Sequence, residues 1–211
     1  MTRDQALAAY RLIRRGIGAV LRQATRQLAP ADLRHAHRQV AGWADLAAMG
    51  DTALEMVADV ALFEPNQRGR RGFDRFLAAD RGLAAAERAL ALRMAGAWFS
   101  LFRLAERHPE GGLWIEDRLA GDRRLWLMDE GLERSAPQGA VTAMRLFDAG
   151  PFHAGFGIVL APGAETLDLC IAARARGLTT PFRHSIAATL YADALSAELP
   201  RRRAGRRRGL G

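Results

Sequence analysis

The side chains with the strongest chemical signature in this sequence are guanidinium groups. All 31 basic residues are arginine, because the chain contains no lysine. Two triplets sit near the C-terminus: Arg201, Arg202 and Arg203, then Arg206, Arg207 and Arg208. A run of this kind neutralises several phosphates, with an affinity that falls steeply as salt rises. Near the N-terminus Arg11, Arg15, Arg22 and Arg26 fall within an arc of about 60° on a helix, given about 100° of turn per residue. They form a second polyanion-binding candidate, strengthened if it lies beside the tail. The alternatives are a solubilising tail and an ordinary solvated helix face. Arg68, Arg70 and Arg71, in a loop, offer a weaker grip on phosphate.

Aromatic residues make a further candidate. Residues 113 to 119 and 123 to 129 read as two strands of a hairpin around Ala120-Gly121-Asp122. With a three-residue turn, Trp114 and Trp126 share a face, diagonally placed, with Arg124 beside them, and could stack single-stranded bases. A two-residue turn puts the indoles on opposite faces, and core packing is the competing use of both.

Catalytic and metal chemistry find little support. Glu116-Asp117 and Asp129-Glu130 are adjacent pairs, which point to opposite faces of a strand and cannot act together without a bulge; only a cross-strand approach of Asp117 and Asp129 would unite them. His35 and His37 lie about 200° apart around a helix, and His108, His153 and His184 have no ligand spacing. Gly150, Gly155 and Gly157 fail the context of a nucleotide loop, since no helix follows directly. Cys170 sits in an apolar helical pattern as a small buried hydrophobe. No cofactor and no metal is expected. An enzyme would require a pocket uniting His153, Arg145 and a carboxylate.

These groups must be held by a chain of 211 residues, enough for one substantial domain or two small ones. Its 49% hydrophobic and 26% charged residues exclude disordered, collagenous and membrane classes. The net charge of +8 is unevenly spread: residues 1–40 carry +6, residues 201–211 carry +6, and the body between them −4. Exclusive use of arginine also reflects a GC-rich genome, which discounts the raw count. A single cysteine forbids an internal disulfide and suits a reducing compartment. The arginine-broken N-terminus argues against export. Ala149–Ala164, the longest uncharged stretch, has 16 residues with two Pro and four Gly, too short and broken to span a bilayer. A cytoplasmic location is expected.

Hydrophobic periodicity places the elements. Ala6, Tyr10, Ile13, Ile17, Val20, Ala24 and Leu28 recur at steps of three and four, and Pro30 ends that helix. Leu33, Ala36, Val40, Trp43, Ala44 and Ala47 continue helical spacing to Gly50. A third helix starts at Asp51-Thr52 with Glu55 in a capping arrangement. Residues 64–72, EPNQRGRRG, read as a loop; a short helix through Phe73 and Phe76 and another over 83–97 follow. Trp98 to Leu104 fits strand and helix equally. Residues 113–119, 123–129, 140–147 and 152–160 read as strands, with 130–139 a polar connector. Residues 163–176 and 182–199 read as helices, stopped by Gly177 and Pro200.

The expectation is an α+β protein with four parts: a helical region over 1–97, a small antiparallel β-barrel-like unit over 98–161, C-terminal helices over 162–200 and a disordered Arg-rich tail over 201–211. The function expected is a non-catalytic binding protein, engaging nucleic acid or a ribonucleoprotein through the Arg-rich ends and the Trp114, Trp126 and Arg124 surface. The alternative is a protein–protein interaction or scaffold module. Salt-dependent retention lost with residues 201–211 separates the two.

Overall fold

A computed structural model describes residues 1–42, 50–79, 82–177 and 185–208, with side chains described as far as residue 197. The expected helical positions Trp43, Ala44 and Ala47 lie outside the described residues, as do Phe182, His184 and the last three residues of the tail. The protein is a mixed α+β structure of eight described helices and one five-stranded sheet.

The longest N-terminal apolar pattern forms α1 (Arg3–Arg26), opened by a capping box in which Thr2 and Gln5 exchange hydrogen bonds. Ala6, Tyr10, Ile17, Val20 and Ala24 are its buried face. Three further helices of this half are α2 (Pro30–Val40), α3 (Asp51–Phe63) and α4 (Gly72–Ala79). Pro30 at the first turn of α2 suits a helix start, where the missing N–H would be unpaired anyway. The expected capping arrangement at Asp51 is absent: Gly50 is the N-cap, without a side-chain bond, and Asp51 is already helical. Eight of the 13 residues of α3 are buried, including Asp59, so this helix is central to the fold. α5 (Ala85–Met94) completes the helical part.

The ambiguous run at Trp98 is a strand, β1 (Trp98–Arg107). It pairs along one edge with β2 (Leu113–Asp117) and along the other with β4 (Val141–Asp148), and both of its faces are covered: Phe102 faces the ring interior while Leu101 packs with Cys170 and Leu190 of the C-terminal helices, and two-sided burial erases the alternation that marks a strand. β3 (Arg123–Leu127) and β5 (His153–Leu160) complete the sheet. Pairing runs β1-β2-β3-β5-β4 and returns to β1. All pairs are antiparallel except β3 with β5, which meet in parallel at Leu127 and His153, so the unit is not purely antiparallel as expected. Phe102, Leu104, Ile115, Leu127, Met144 and Leu146 cluster on the inner side of this ring. The outer side packs on helices, with Phe147, Ala154 and Phe156 joining the main core of α1, α3 and α4.

Two helices break the expected pattern. The polar connector contains α6 (Glu130–Ser135), capped by Asp129, whose Oδ1 accepts from Gly131 N and Leu132 N at 2.9 Å each. α1 docks on this segment through Arg3 to Glu133 and Arg11 to Glu130. After α7 (Ala164–Ala175), the last helix, α8 (Ile186–Arg208), passes through Pro200, so the backbone of residues 201–208 is helical where a disordered tail was expected. Leu199 and Arg201, on either side of the proline, are both strong helix formers. No described helix is long and apolar enough to cross a membrane.

Candidate anion-binding site

The loop 64–71 is shaped by one side chain. Asn66 Oδ1 accepts from Arg68 N at 2.9 Å and Arg70 N at 3.1 Å, while Gly69 N returns to Asn66 O at 2.9 Å. Asparagine favours such local turns because its amide mimics a backbone group. Its Nδ2 donates to Asp32 Oδ1 at 3.0 Å, which ties the loop to the first turn of α2, and Arg75 of α4 donates to the other oxygen of Asp32. Burial of Asp32 acts to raise its pKa, but the bonds from Asn66 and Arg75 outweigh it and hold the carboxyl below its ordinary value. The loop is thus pinned by a carboxylate that stays ionised.

Around this anchor is a hollow of about 580 Å³ whose walls include Arg34, His35 and Arg38 from α2, Arg68 and Arg70 from the loop, and Arg75. Arg34 and Arg38 are four apart and so project from one side of α2. Among the described residues, Arg34, Arg38, Arg68 and Arg70 have no ion-pair partner, and all four are exposed. Asp32 is already committed to Arg75. Four unpaired guanidinium groups converging on one concavity are arranged to receive phosphate or carboxylate oxygens, which Arg binds in a fork geometry.

The residues singled out from the sequence are distributed unevenly. Arg71 is spent on Asp74, with bonds of 2.8 and 2.7 Å. In the α1 stripe Arg11 is paired with Glu130, Arg15 is exposed without an ion-pair partner among the described residues, and Arg22 and Arg26 border a different cleft. The side chains of Arg201, Arg202, Arg203, Arg206, Arg207 and Arg208 lie outside those described, so their approach to α1 does too. Sequence reasoning missed Arg34, Arg38 and Arg75. The i, i+4 spacing of the first two was a readable signal, but nothing local placed the loop against them.

The hairpin is longer than either turn considered. Asp117 pairs with Arg123, leaving a five-residue loop, and Trp114 stands directly opposite Trp126 with Glu116 opposite Arg124. The parity is that of the shared face, with the indoles closer than diagonal. Asp117 sets the loop: its carbonyl accepts from Ala120 N and Asp122 N, and its buried carboxylate accepts from Leu119 N, Ser100 Oγ and Trp98 Nε1. The stacking surface is already occupied. His108 lies 3.9 Å from the Trp126 ring at an angle of 7° and 4.6 Å from Trp114, while the Arg124 guanidinium lies 4.6 Å over Trp114 and pairs with Glu106. Trp126 Nε1 donates to Gly111 O.

The carboxylate pairs are structural. Glu116 is taken by Arg103, Asp117 by the hairpin, Asp129 by the α6 cap and Glu130 by Arg11. Cys170 is buried, and burial pushes its thiol pKa up, which disfavours the thiolate. The pocket that an enzyme would need is not formed by the named groups. Arg145 meets two carboxylates inside the core, bonded to both oxygens of Asp59 at 2.9 Å and to Glu64 at 2.7 Å. His153 instead sits opposite Asp148 on the strand, edge-on to Trp98.

His108 and His153 carry a pH prediction. Burial lowers the pKa of each below the ordinary 6.5. His108 Nδ1 accepts from Glu110 N at 3.1 Å and so must be unprotonated, and the buried Nδ1 of His153 has no partner among the described residues. A base whose folded pKa is depressed binds fewer protons than in the unfolded chain, so stability is complete well above the unfolded pKa of about 6.5 and is lost as pH falls through that value towards the lower folded one. The melting temperature should decline between about pH 7.5 and about pH 5.5, ahead of carboxylate titration. The double variant H108Q/H153Q should flatten that decline in thermal melts; an equal slope contradicts the assignment.

A model for a family of unknown function matches residues 32–167, which contain Asp32, the arginines of the α2 and loop cluster and the complete sheet, but neither α1 nor the terminal arginines. No curated protein and no solved structure matches the chain.

Proposed function

The chain belongs to that family, DUF7986, whose function is unknown, and from its site we propose that it is a non-catalytic protein that binds nucleic acid, alone or within a ribonucleoprotein, through the phosphate backbone. The observation that carries this reading is the set of unpaired guanidinium groups around one hollow, Arg34 and Arg38 from α2 and Arg68 and Arg70 from the loop that Asn66 keeps in shape. Preorganised arginines lose less conformational freedom on meeting a phosphate than a mobile run does. Arg15 and the Arg-rich C-terminal end extend the positive field along the chain and speed encounter. The sheet, read as a small barrel-like platform, packs on α3 through β5, and α3 in turn packs on α2. Trp114, Trp126 and Arg124 contribute rigidity more than base stacking, since His108 and Arg124 already cover the ring faces. Recognition of this kind reads the backbone and carries little sequence information.

Anisotropy titrations with a labelled single-stranded RNA across a salt series test the reading. The four positions are exposed, so R34A/R38A/R68A/R70A should fold normally. At about 0.7 per phosphate contact on a single strand, that variant should lose roughly three units of slope in log K against log salt. Deletion of 201–211 should remove a further, separate part. An unchanged slope in the quadruple variant overturns the proposal, and absence of salt-dependent binding in the full chain leaves the interaction-module reading in its place.

A further inference from the structure

A second concavity lies against α1, apart from the α2 and loop hollow, and has a different chemistry. It is a cleft of about 570 Å³ between α1, α3 and β5. Its floor is apolar, made by Ile17, Leu21, Leu62, Phe63 and Phe156. Arg14, Arg22 and Arg26 stand around it with Glu55 as the exposed acid, and Arg14 is anchored by donating to Gly155 O at 3.3 Å. Asp59 also borders the cleft, but both of its oxygens are engaged by Arg145, and Oδ2 also accepts from Tyr191. Guanidinium groups therefore outnumber available carboxylates at the rim.

Glycine keeps the space open at Gly18, in the middle of α1. A Cβ there would lie 3.3 Å from Arg22 Nη1, so the Arg22 head group folds back over the gap that the missing side chain leaves. Glycine inside a helix is unfavourable by about 1 kcal/mol relative to alanine, so the local sequence works against helix formation where the cleft opens. A pocket of this size with an apolar floor and a few convergent charges has the features of a small-molecule site.

We propose that this cleft binds an amphipathic organic monoanion, with its carboxylate on Arg22 and Arg26 and its apolar body against Phe63, Phe156 and Leu62. The apolar floor selects for hydrocarbon over sugar or nucleotide. The rim selects for a single anionic head, because Glu55 opposes a larger negative charge. The site is separate from the α2 and loop cluster and does not depend on nucleic-acid binding.

Calorimetric titration of the full chain with octanoate, hexanoate and octanol decides it. Octanoate should bind saturably, hexanoate about fifteenfold more weakly for two methylenes lost, and octanol more weakly than octanoate. R22Q/R26Q should erase the preference for octanoate over octanol. Gly18→Leu, which favours the helix while filling the cleft, should abolish binding of both without altering RNA retention; Ala58→Phe fills it independently from α3 should Gly18→Leu perturb α1. Absence of saturable octanoate binding at millimolar concentration overturns the proposal. Wild-type affinity in a folded cleft-filling variant does so equally.

Discussion

Asp59→Ala should lower the unfolding free energy by about 3–5 kcal/mol, among the largest effects of any single side-chain truncation in this protein. Arg145 is 1% exposed and Asp59 7%, so removing the carboxylate takes two hydrogen bonds from a guanidinium that water cannot reach and leaves it only the bond to Glu64 among the described residues. The pair does more than neutralise itself. Arg145 comes from β4, Asp59 and Glu64 from α3 and its end, and Tyr191 from α8, whose hydroxyl donates to Asp59 Oδ2 at 3.1 Å. The guanidinium also lies 4.9 Å from the Phe63 ring and 5.6 Å from Phe99. Burial acts to lower the Arg145 pKa, but the two carboxylates outweigh it and hold the group charged; burial and the nearby Asp59 push Tyr191 well above its ordinary value.

The network therefore fastens sheet, central helix and C-terminal helix at one point. Chemical denaturation should show the triple variant D59L/E64L/R145M closer to wild type than Asp59→Ala alone, because replacing all three charged groups leaves none of them orphaned. Equal destabilisation by the two would show that the loss comes from packing and not from charge.

Gly112→Ala is the second large effect, expected at about 2–5 kcal/mol from left-handed strain together with overpacking. Gly112 has φ +75°, and a Cβ there would meet Leu127 O at 2.2 Å and Met128 Cα at 3.0 Å, both of them backbone atoms that cannot swing aside. The same residue closes the β1–β2 turn by accepting from His108 N at 3.0 Å and donating to Glu133 Oε2 at 3.0 Å. Gly121 supplies the control: its φ is +67° but the space around it is open, so Gly121→Ala should cost only the strain, about 1–2 kcal/mol. Denaturant midpoints that fall together for the two variants would remove the close backbone approach as the cause.

Much of the fold was legible from spacing. The buried face of α1, the loop composition at 64–71, the start of α7 after Gly163 and the strand at 153–160 all follow from local periodicity and turn chemistry. β1 was ambiguous because helices cover one side of it and the ring interior the other, so neither face is polar enough to mark a period. α6 was missed because Gly131 near its start resembles a turn and because Asp129, its N-cap, reads as the end of the preceding strand, which stops at Leu127.

By itself the sequence determined where most of the helices and strands form and that the protein would carry a surplus of arginine. Which arginines remain available was decided only by tertiary structure. Arg11 and Arg145 look alike in the sequence to Arg34 and Arg68, yet Arg11 meets Glu130 and Arg145 meets Asp59, partners more than eighty residues away. Arg34, Arg38, Arg68 and Arg70 find none among the described residues. Periodicity is a property of neighbouring residues, whereas neutralisation of a charge depends on which distant group the folded chain brings within about 4 Å of it.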